Sequence, residues 1–444
     1  MADNDSIVDI GIAPVSGEVA LKKQKAVRVE TLLNEINKSF ALTLYGNNAV
    51  ILKTDEENIR YLNSDTFLLL MKNRVMALGG QQAPMKLGPL WLSWDKRRYY
   101  DDVVFYPGDT SDRNVYNLWK GFAYEPDPSG SCSLFLDHIR ANVCGDNEQN
   151  YNWLLDWMAD AVQKPYRKNW TALLLESKEE GTGKGFFANH FGKLFGRHFG
   201  AYSKPNQLLG QFNSHLEDKL IVFLDEGSLV EKHAYDFAKS LISEPTLNIE
   251  PKGRSMREVH SYHRIIMASN DEHIIRASTY DRRWMVLRVL PHSKNNLAYF
   301  DAINKQLSHE GGYEALMHLL MTRQYDEYNV KRVIETEAKS FQKEQNLPNY
   351  MEWWKNCLAI GRMGEEEWPF RVTSRDFYRN YISWCDSMHI NRRESEHWLT
   401  RRLNDKAGTS FARLGNGSST FYDLPELWEA RRNLEEALGY IIRW

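Results

Sequence analysis

The sequence predicts an α/β fold built around a parallel sheet, and three short apolar segments carry this prediction. They span residues 171–175, 220–224 and 264–269, and polar residues follow each of them. Each segment has the length and composition of a buried strand. Because open α/β sheets bind ligands beyond the carboxyl ends of their strands, the polar residues that follow are candidate site residues.

The composition is that of a globular protein with more than one domain. The chain has 444 residues, of which 42% are hydrophobic and 26% charged, and its formal net charge is −3. One hydrophobic core rarely organises a chain of this length, so two or three domains are expected. Since the net charge gives no overall basic field, any contact with nucleic acid must come from local patches or from a channel made by assembly.

Cysteine usage and hydropathy predict a cytoplasmic protein with no membrane segment. The four cysteines lie far apart and lack the paired spacing of zinc sites, so neither zinc nor a disulfide framework is expected. The N-terminus is acidic and has no apolar core of a signal peptide. The apolar runs are about five or six residues long, far short of the roughly 20 that a membrane helix needs.

Turn-forming residues divide the chain into four predicted segments. A loop near Gly130 and the prolines Pro165 and Pro348 mark the boundaries. The first segment is predicted to begin with a flexible arm over residues 1–25 and to contain a strand at residues 91–94. The segments are a mixed α/β N-terminal domain (1–130), a helical collar (131–167), an α/β core (168–345) and a C-terminal domain (346–444).

The first core strand leads into a glycine-rich turn with the features of a phosphate-binding loop. A strand, such a turn and a helix present backbone N–H groups and a helix N-terminus to phosphate oxygens. Lys184 is expected to reach the β- and γ-phosphates, while Gly181 and Gly183 allow close approach of the backbone. The strict pattern G-x4-G-K-[ST] is not met, because Lys178 replaces its first glycine and Gly185 its hydroxyl residue. A glycine-rich loop with a chance lysine therefore remains an alternative for this segment alone. The predicted nucleotide-binding residues are Gly181, Thr182, Gly183, Lys184 and Gly185.

Polar residues at the ends of the other two core strands extend the predicted site. Asp225 is suited to hold Mg²⁺, and Glu226 to polarise an attacking water as general base. Asn270 ends the third strand, where an amide can orient water and the γ-phosphate. An acidic turn and a capping asparagine are the ordinary alternatives for these residues in isolation. Their order after the glycine-rich turn favours hydrolysis of a nucleoside triphosphate.

With these residues in place, the chain resembles a superfamily 3 helicase of the AAA+ class, in particular the helicase part of viral and mobile-element primase-helicases. The resemblance covers about residues 90–444 and is strongest over 168–292. It implies an AAA+ P-loop NTPase core that uses ATP and Mg²⁺. The Walker A element then corresponds to residues 181–184, Walker B to Asp225 and Glu226, and sensor 1 to Asn270.

The resemblance also implies contacts outside the core strands. A DNA-gripping hairpin would place Lys252 and Arg254 at its tip, where they would hold phosphates of a single strand inside a ring. A solvated surface hairpin is the alternative. An arginine finger acting on the ATP of a neighbouring subunit would be Arg282 or Arg283, and the sequence does not decide between them.

Gly185 stands where the strict phosphate-loop pattern has a hydroxyl residue, and this difference affects how Mg²⁺ would be bound. Without a hydroxyl at this position, Mg²⁺ loses one usual protein ligand. Because Mg²⁺ readily keeps water ligands, Asp225 with phosphates and waters would suffice. Thr182 is a second candidate metal ligand.

The C-terminal segment is predicted to bind DNA through a winged-helix-like domain. Residues 371–413 carry nine basic and five acidic residues. Two helices precede a hairpin with an Asn-Gly turn at residues 415–418, and the second helix displays Arg401 and Arg402. Such a helix can dock on duplex DNA. A small packing domain with surface ion pairs is the alternative.

The predicted function is that of an ATP-dependent replicative DNA helicase of a virus, such as a phage, or of a mobile element. It would work as a homo-oligomeric, hexameric ring on single-stranded and forked DNA, with a separate primase or polymerase as a further partner. A DNA-binding initiator that uses ATP for assembly and a small-molecule P-loop kinase are the alternatives. Primase chemistry is not expected, because the N-terminal segment lacks an evident metal-binding acidic constellation.

Overall fold

The computed structural model resolves the chain into two compact units. Met1–Lys120 group with Glu250–Val259 in unit 1, and Gly121–Ile249 group with His260–Trp444 in unit 2. The finer division into four segments stays a prediction. Among the described residues, no helix combines the length and the hydropathy that crossing a membrane requires. The structure describes residues 17–54, 59–77, 83–111, 113–203, 208, 212–226, 229, 231–253, 256–271, 274–275, 282–364, 366–411, 414, 420–442 and 444.

Unit 1 packs helices against small sheets. Strands β1, β2 and β3 form an antiparallel sheet in that order, and the buried rings of Phe67 and Trp91 lie 5.1 Å apart at the centre of the core. The elements are α1 (Gly17–Ser39), β1 (Phe40–Tyr45), β2 (Asn48–Lys53), β3 (Arg60–Leu62), α2 (Ser64–Leu70), β4 (Val75–Met76), β5 (Met85–Lys86), α3 (Leu87–Ser93), β6 (Asp102–Val104) and β7 (Val115–Asn117).

One expectation for unit 1 was wrong, and a second, the flexible arm over residues 1–25, falls mostly outside the described residues. Residues 91–94 do not form a strand, because Trp91 lies in helix α3. Leu87 and Trp91, one helical turn apart, are both buried on the same face, and the Trp91 indole N–H donates to Asn37 Oδ1 at 2.8 Å. The predicted arm is helical from Gly17 onward, and residues 1–16 lie outside the described part.

Unit 2 carries the larger sheet and most of the helices. Its strands are β8 (Ala172–Glu176), β9 (Phe199–Tyr202), β10 (Ile221–Leu224), β11 (Thr246–Ile249), β12 (Arg257–His260, whose first three residues group with unit 1), β13 (Arg264–Ser269), β14 (Trp284–Arg288), β15 (Arg362–Met363), β16 (Glu366–Glu367), β17 (Arg371–Thr373) and β18 (Phe421–Asp423). Its helices are α4 (Ser133–His138), which continues into a π-helical turn (Ile139–Val143), α5 (Glu148–Gln163), α6 (Lys184–Lys193), α7 (Lys232–Ser243), α8 (Leu297–His309), α9 (Gly312–Thr322), α10 (Glu327–Val330), α11 (Glu337–Glu344), α12 (Asn349–Ile360), α13 (Ser374–Ser387), α14 (Glu396–Lys406) and α15 (Leu427–Leu438), and short 3₁₀ turns span Gly196–His198 and Ser214–Leu216.

The five-stranded sheet confirms the predicted parallel arrangement. Its strand order is β14-β8-β13-β10-β9, and every neighbouring pair is parallel. All residues of β8, β10 and β13 are buried, as the apolar segments predicted. Since β8, β13 and β10 are consecutive neighbours, the polar residues that follow them emerge side by side at one edge.

A buried ion pair anchors the opposite, amino-terminal end of this sheet. Arg264, the first residue of β13, places Nη2 2.7 Å from Asp160 Oδ2 on α5, and both side chains are fully buried. The Tyr325 hydroxyl donates to Asp160 Oδ1 at 3.0 Å, and Arg167 pairs with the same carboxylate. Removing one partner of such a pair typically costs about 3–5 kcal/mol, because the other charge stays buried.

The C-terminal part of unit 2 has a core of its own, rich in aromatic side chains. Trp353 and Trp354 of α12 pack around Phe377 of α13 with Phe411 and Tyr422. Strands β17 and β18 pair antiparallel. An isolated antiparallel bridge joins Leu414 to Phe421, as the predicted hairpin requires, and the Asn-Gly turn between them lies outside the described residues.

Four buried histidines of unit 2 predict that the fold loses stability in mild acid. Burial lowers the pKa of His138, His190 and His198 to about 4, and that of His263 to about 3. Between pH 6.5 and 4 the unfolded chain therefore binds protons that the folded chain does not. The free energy of unfolding should fall by up to about 1.4 kcal/mol per pH unit for each histidine.

Urea denaturation followed between pH 7.5 and 4.5 measures this slope. His198→Asn serves as the matched variant, because asparagine can still donate to the Asp218 carbonyl that His198 contacts at 2.8 Å. The variant should lose stability less steeply than the wild-type chain on acidification. Parallel slopes for the two proteins would contradict the prediction.

Candidate functional site

The glycine-rich turn after β8 has the backbone geometry of a tight loop that closes on a helix. Gly181 and Gly183 have φ of +71° and +99°, in the left-handed region that favours glycine, and α6 begins at Lys184. A Cβ on Gly183 would lie 2.5 Å from Cε1 of the buried His138 ring. Ser177 orders the start of the turn, because its hydroxyl donates to the Glu179 carbonyl at 2.6 Å. The N-terminus of α6 thus opens into the space that the turn surrounds.

A hydrogen bond joins the turn to the end of β13. Lys184 Nζ donates to Asn270 Oδ1 at 2.6 Å, although the two residues are 86 positions apart, and it also lies 3.3 Å from the Glu179 carbonyl. Burial lowers the pKa of Lys184, and the nearby carboxylates of Asp225 and Glu180 oppose this shift. The structure therefore brings the predicted lysine and the predicted asparagine into direct contact.

The turn, the acidic pair and the asparagine line one cavity of about 340 Å³. Asp225 follows β10, and its backbone N–H donates to the Tyr202 carbonyl at 2.8 Å. Glu226 has φ of +53°, a conformation that costs a residue other than glycine about 1–3 kcal/mol and is concentrated at functional sites. The described residues that line it are Glu180, Gly181, Thr182, Gly183, Lys184, Gly185, Phe186, Asp225, Glu226, Asn270 and Phe300.

Gly185 faces the carboxylate that was assigned to Mg²⁺. A Cβ on Gly185 would lie 3.6 Å from Asp225 Oδ2, which is ordinary van der Waals contact. Thr182 is buried, and its hydroxyl donates to Ser177 Oγ at 3.3 Å. Among the described residues, no group of three or more His, Cys, Asp or Glu side chains is arranged to hold a metal ion. Asp225 and Glu226, which line the cavity, could supply the one or two carboxylates that a Mg²⁺ ion with phosphate and water ligands takes.

The two arginines lie at the opposite end of the sheet from this cavity. Because β14 runs parallel to β8 with Trp284 opposite Ala172, Arg282 and Arg283 precede the amino ends of these strands. Arg283 donates from Nε to Ser243 Oγ at 2.8 Å, and its carbonyl accepts from Ala172 N. Arg282 is exposed. Neither arginine lines the cavity of its own chain.

The predicted DNA contacts are placed in two parts of the chain. Lys252 is exposed in the turn after β11 that groups with unit 1, and Arg254 lies outside the described residues. Arg401 and Arg402 are both exposed on α14. Arg401 lies 4.8 Å from the centre of the Trp398 ring, whereas Arg402 Nε is 3.3 Å from Glu394 Oε2. Arg401 is therefore more available to a ligand than Arg402.

Sequence reasoning missed three aromatic residues that shape the cavity. Phe186 and Phe300 line it, and His138 packs beneath Gly183 with Nδ1 3.2 Å from the Tyr299 hydroxyl. Phe186 directly follows the glycine-rich turn, so position alone could have indicated it. His138 and Phe300 reach the turn only through tertiary packing, and no sequence motif marks them.

Comparison with known proteins gives one family match and one curated relative. The model of a family of unknown function (DUF5906) matches residues 175–283, which contain the glycine-rich turn, the acidic pair and Asn270. A DNA primase-polymerase of Nitratiruptor phage NrS-1 is 29% identical over 156 residues. This match covers 34% of the present chain and only 21% of the relative's length.

Solved structures extend the likeness over most of the chain. The apo structure of the NrS-1 C-terminal region (305–718) superposes with a TM-score of 0.62 and 15% identity, covering 88% of this chain and 98% of that one. An A-form apo structure of the same region gives a TM-score of 0.63 and 16% identity over the same shares. The chain is similar in fold to this C-terminal region.

Substituting Gly183 tests the conformation of the turn. Gly183→Ala should weaken the predicted binding of a nucleotide at least tenfold, because the added Cβ collides with the His138 ring and the backbone has a positive φ. Displacement of a fluorescent ATP analogue measures the affinity. Gly439→Ala is the matched control, since Gly439 has φ of +74° and an added Cβ there would meet no atom within 4 Å. Equal affinity of Gly183→Ala and the control would contradict the prediction.

Adding a hydroxyl at Gly185 tests the metal position. Gly185→Ser should lower the Mg²⁺ concentration needed for half-maximal binding of the predicted nucleotide by about threefold or more, because the hydroxyl would join Asp225, the predicted Mg²⁺ ligand. Magnesium titration with the same fluorescent analogue measures this. Gly185→Ala separates the hydroxyl from the added carbon, and identical behaviour of the two variants would refute the assignment.

Proposed function

We propose that this chain is the ATP-hydrolysing part of a phage DNA replication protein, a helicase of the AAA+ superfamily 3 type that works as a ring. The observation that carries the proposal is the 2.6 Å contact between Lys184 and Asn270, inside a cavity that Asp225 and Glu226 also line. Similarity to the phage primase-polymerase supports a role in DNA replication.

Each residue of the cavity has a chemical task in this proposal. The N–H groups at the start of α6 and the ammonium of Lys184 would bind the phosphates of ATP. Lys184 would exchange its contact with Asn270 for a γ-phosphate oxygen, which frees the amide to orient the attacking water. Glu226 would accept a proton from that water. Mg²⁺, held by Asp225 and by phosphate oxygens, would neutralise charge on the phosphates.

Arg282 is our candidate for the arginine that completes the site of a neighbouring subunit. Arg283 is held by Ser243 and by the backbone of Ala172, whereas Arg282 is exposed. Because both arginines lie at the far end of the sheet from the cavity, a single chain cannot bring either to its own ATP. The proposal therefore requires an oligomer, which we take to be a hexameric ring.

DNA would be held by two surfaces. Lys252 in the turn after β11 would contact single-stranded DNA, and Arg401 on α14 of a winged-helix-like domain would contact the duplex. The relative is described as a primase-polymerase, whereas the two structures described above are of the NrS-1 C-terminal region. We therefore propose no primase chemistry for this chain.

Gly185 favours a second candidate function, that of an initiator whose bound ATP drives assembly alone. The missing hydroxyl removes a usual Mg²⁺ ligand and so weakens the case for hydrolysis. The carboxylates of Asp225 and Glu226 beside the same cavity favour the helicase. Turnover of ATP distinguishes the two.

Steady-state ATPase and strand-displacement assays on the full chain test the main proposal. The wild-type chain should hydrolyse ATP faster in the presence of single-stranded DNA, and Lys184→Ala should abolish both binding and turnover. Arg282→Ala should keep ATP binding but lose turnover by about 10³-fold, the scale of an arginine finger. Arg283→Ala is the matched control and should retain more activity than Arg282→Ala.

Mixing variants tests whether sites are shared between subunits. Arg282→Ala retains an intact cavity and Glu226→Gln an intact arginine, so an equimolar mixture should recover turnover that neither variant has alone. Absence of recovery would contradict a shared site.

ATP-dependent assembly of the wild-type chain without any turnover would favour the initiator over the helicase.

A further inference from the structure

The cavity has an aromatic part that the proposed chemistry does not use. Phe186 is the third residue of α6, and Phe300 belongs to α8. Their ring centres are 4.8 Å apart with an interplanar angle of 56°, and both side chains are half-buried, so each keeps accessible surface. These two phenylalanines, called here the aromatic pair, are the only large apolar side chains among the described residues that line the cavity.

The buried imidazole of His138 holds the aromatic pair in place. Its ring centre lies 5.7 Å from that of Phe186 and 5.7 Å from that of Phe300, in near-perpendicular contacts. The Tyr299 hydroxyl lies 3.2 Å from His138 Nδ1 and helps to fix the orientation of the imidazole. Because His138 is fully buried, it supports the aromatic pair from the protein interior.

The proposed function uses most polar side chains of the cavity to bind the phosphates and Mg²⁺ and to act on the attacking water. Lys184 and Asn270 contact each other, and Asp225 lies beside Gly185. Thr182 is buried and bonded to Ser177. The remaining polar side chains of the described lining are carboxylates, at positions 180 and 226.

The aromatic pair approaches the turn at a different point from the phosphate-binding residues. Phe300 Cε1 would lie 3.3 Å from a Cβ on Gly183, whereas Asn270 and Asp225 approach the turn at Lys184 and Gly185. In the proposed binding mode, a nucleotide whose terminal phosphate lies at Lys184 would extend away from Asn270 through its ribose to its base. The aromatic pair would provide that base with a surface for stacking.

We propose that the base of the bound nucleotide stacks on Phe300, with Phe186 packed against its edge, and that the site therefore accepts nucleoside triphosphates of any base. This inference rests on the proposed nucleotide-hydrolysing function. Stacking on an aromatic face tolerates every base, because each base has a π-face. Discrimination between bases needs hydrogen-bond donors and acceptors at their edges, and the rings of Phe186 and Phe300 offer neither.

Hydrolysis of ATP, GTP, CTP and UTP by the full chain, with single-stranded DNA present, tests the inference. The four values of kcat/KM should fall within about tenfold of one another. Phe300→Ala should raise KM for all four about tenfold and leave kcat within twofold, and Phe300→Trp should restore KM. Phe370→Ala is the control, because Phe370 is 71% exposed and does not line the cavity. Thermal unfolding of each variant verifies that it is folded.

The outcomes separate this inference from the proposed function. A preference of more than a hundredfold for ATP over the other three, or a Phe300→Ala variant with wild-type KM, overturns base-tolerant stacking even if ATP is hydrolysed. If no nucleotide is hydrolysed, displacement of a fluorescent ATP analogue by the four triphosphates decides the question by affinity. Binding of all four without turnover then overturns only the hydrolytic function, whereas failure of all four to bind overturns both.

Discussion

Parallel hydrogen bonding between β8, β13 and β10 is the constraint on which the candidate site depends. Parallel neighbours end at the same edge of a sheet, so residues far apart in the chain leave the three strands side by side. The 2.6 Å contact between Lys184 and Asn270 is a direct result. A shift of β13 against β8 would separate these two side chains, and the buried pair of Arg264 with Asp160 opposes such a shift at the other end of the strand.

The sequence predicted the parts of the structure that local patterns encode. The three core strands are confirmed, because fully apolar runs of this length are typical of parallel strands buried on both faces. The segment around Trp91 was misread, because aromatic residues favour strands in general, whereas here Leu87 and Trp91 share a buried helical face. Its partner Asn37 is 54 residues away, which no local window can include.

The candidate site divides in the same way between what was predictable and what was not. The glycine-rich turn, the acidic pair and Asn270 are local signals, and the cavity contains them all. His138 and Phe300 become neighbours of Gly183 only when helices from different parts of unit 2 pack around the turn. The proposal of Arg282 over Arg283 as the arginine finger likewise depends on the hydrogen bond from Arg283 to Ser243, which the sequence does not reveal.

At Glu226, a left-handed backbone conformation that costs folding stability coincides with the carboxylate proposed as the general base. The fold bears the cost of this conformation in every molecule, whether or not the carboxylate is in use. A glycine there would relieve the strain and remove the acid together, giving a chain that folds better and has lost its proposed general base. Selection for thermal tolerance alone would therefore favour chains that lack this carboxylate, so a screen for folding cannot reveal what the residue does.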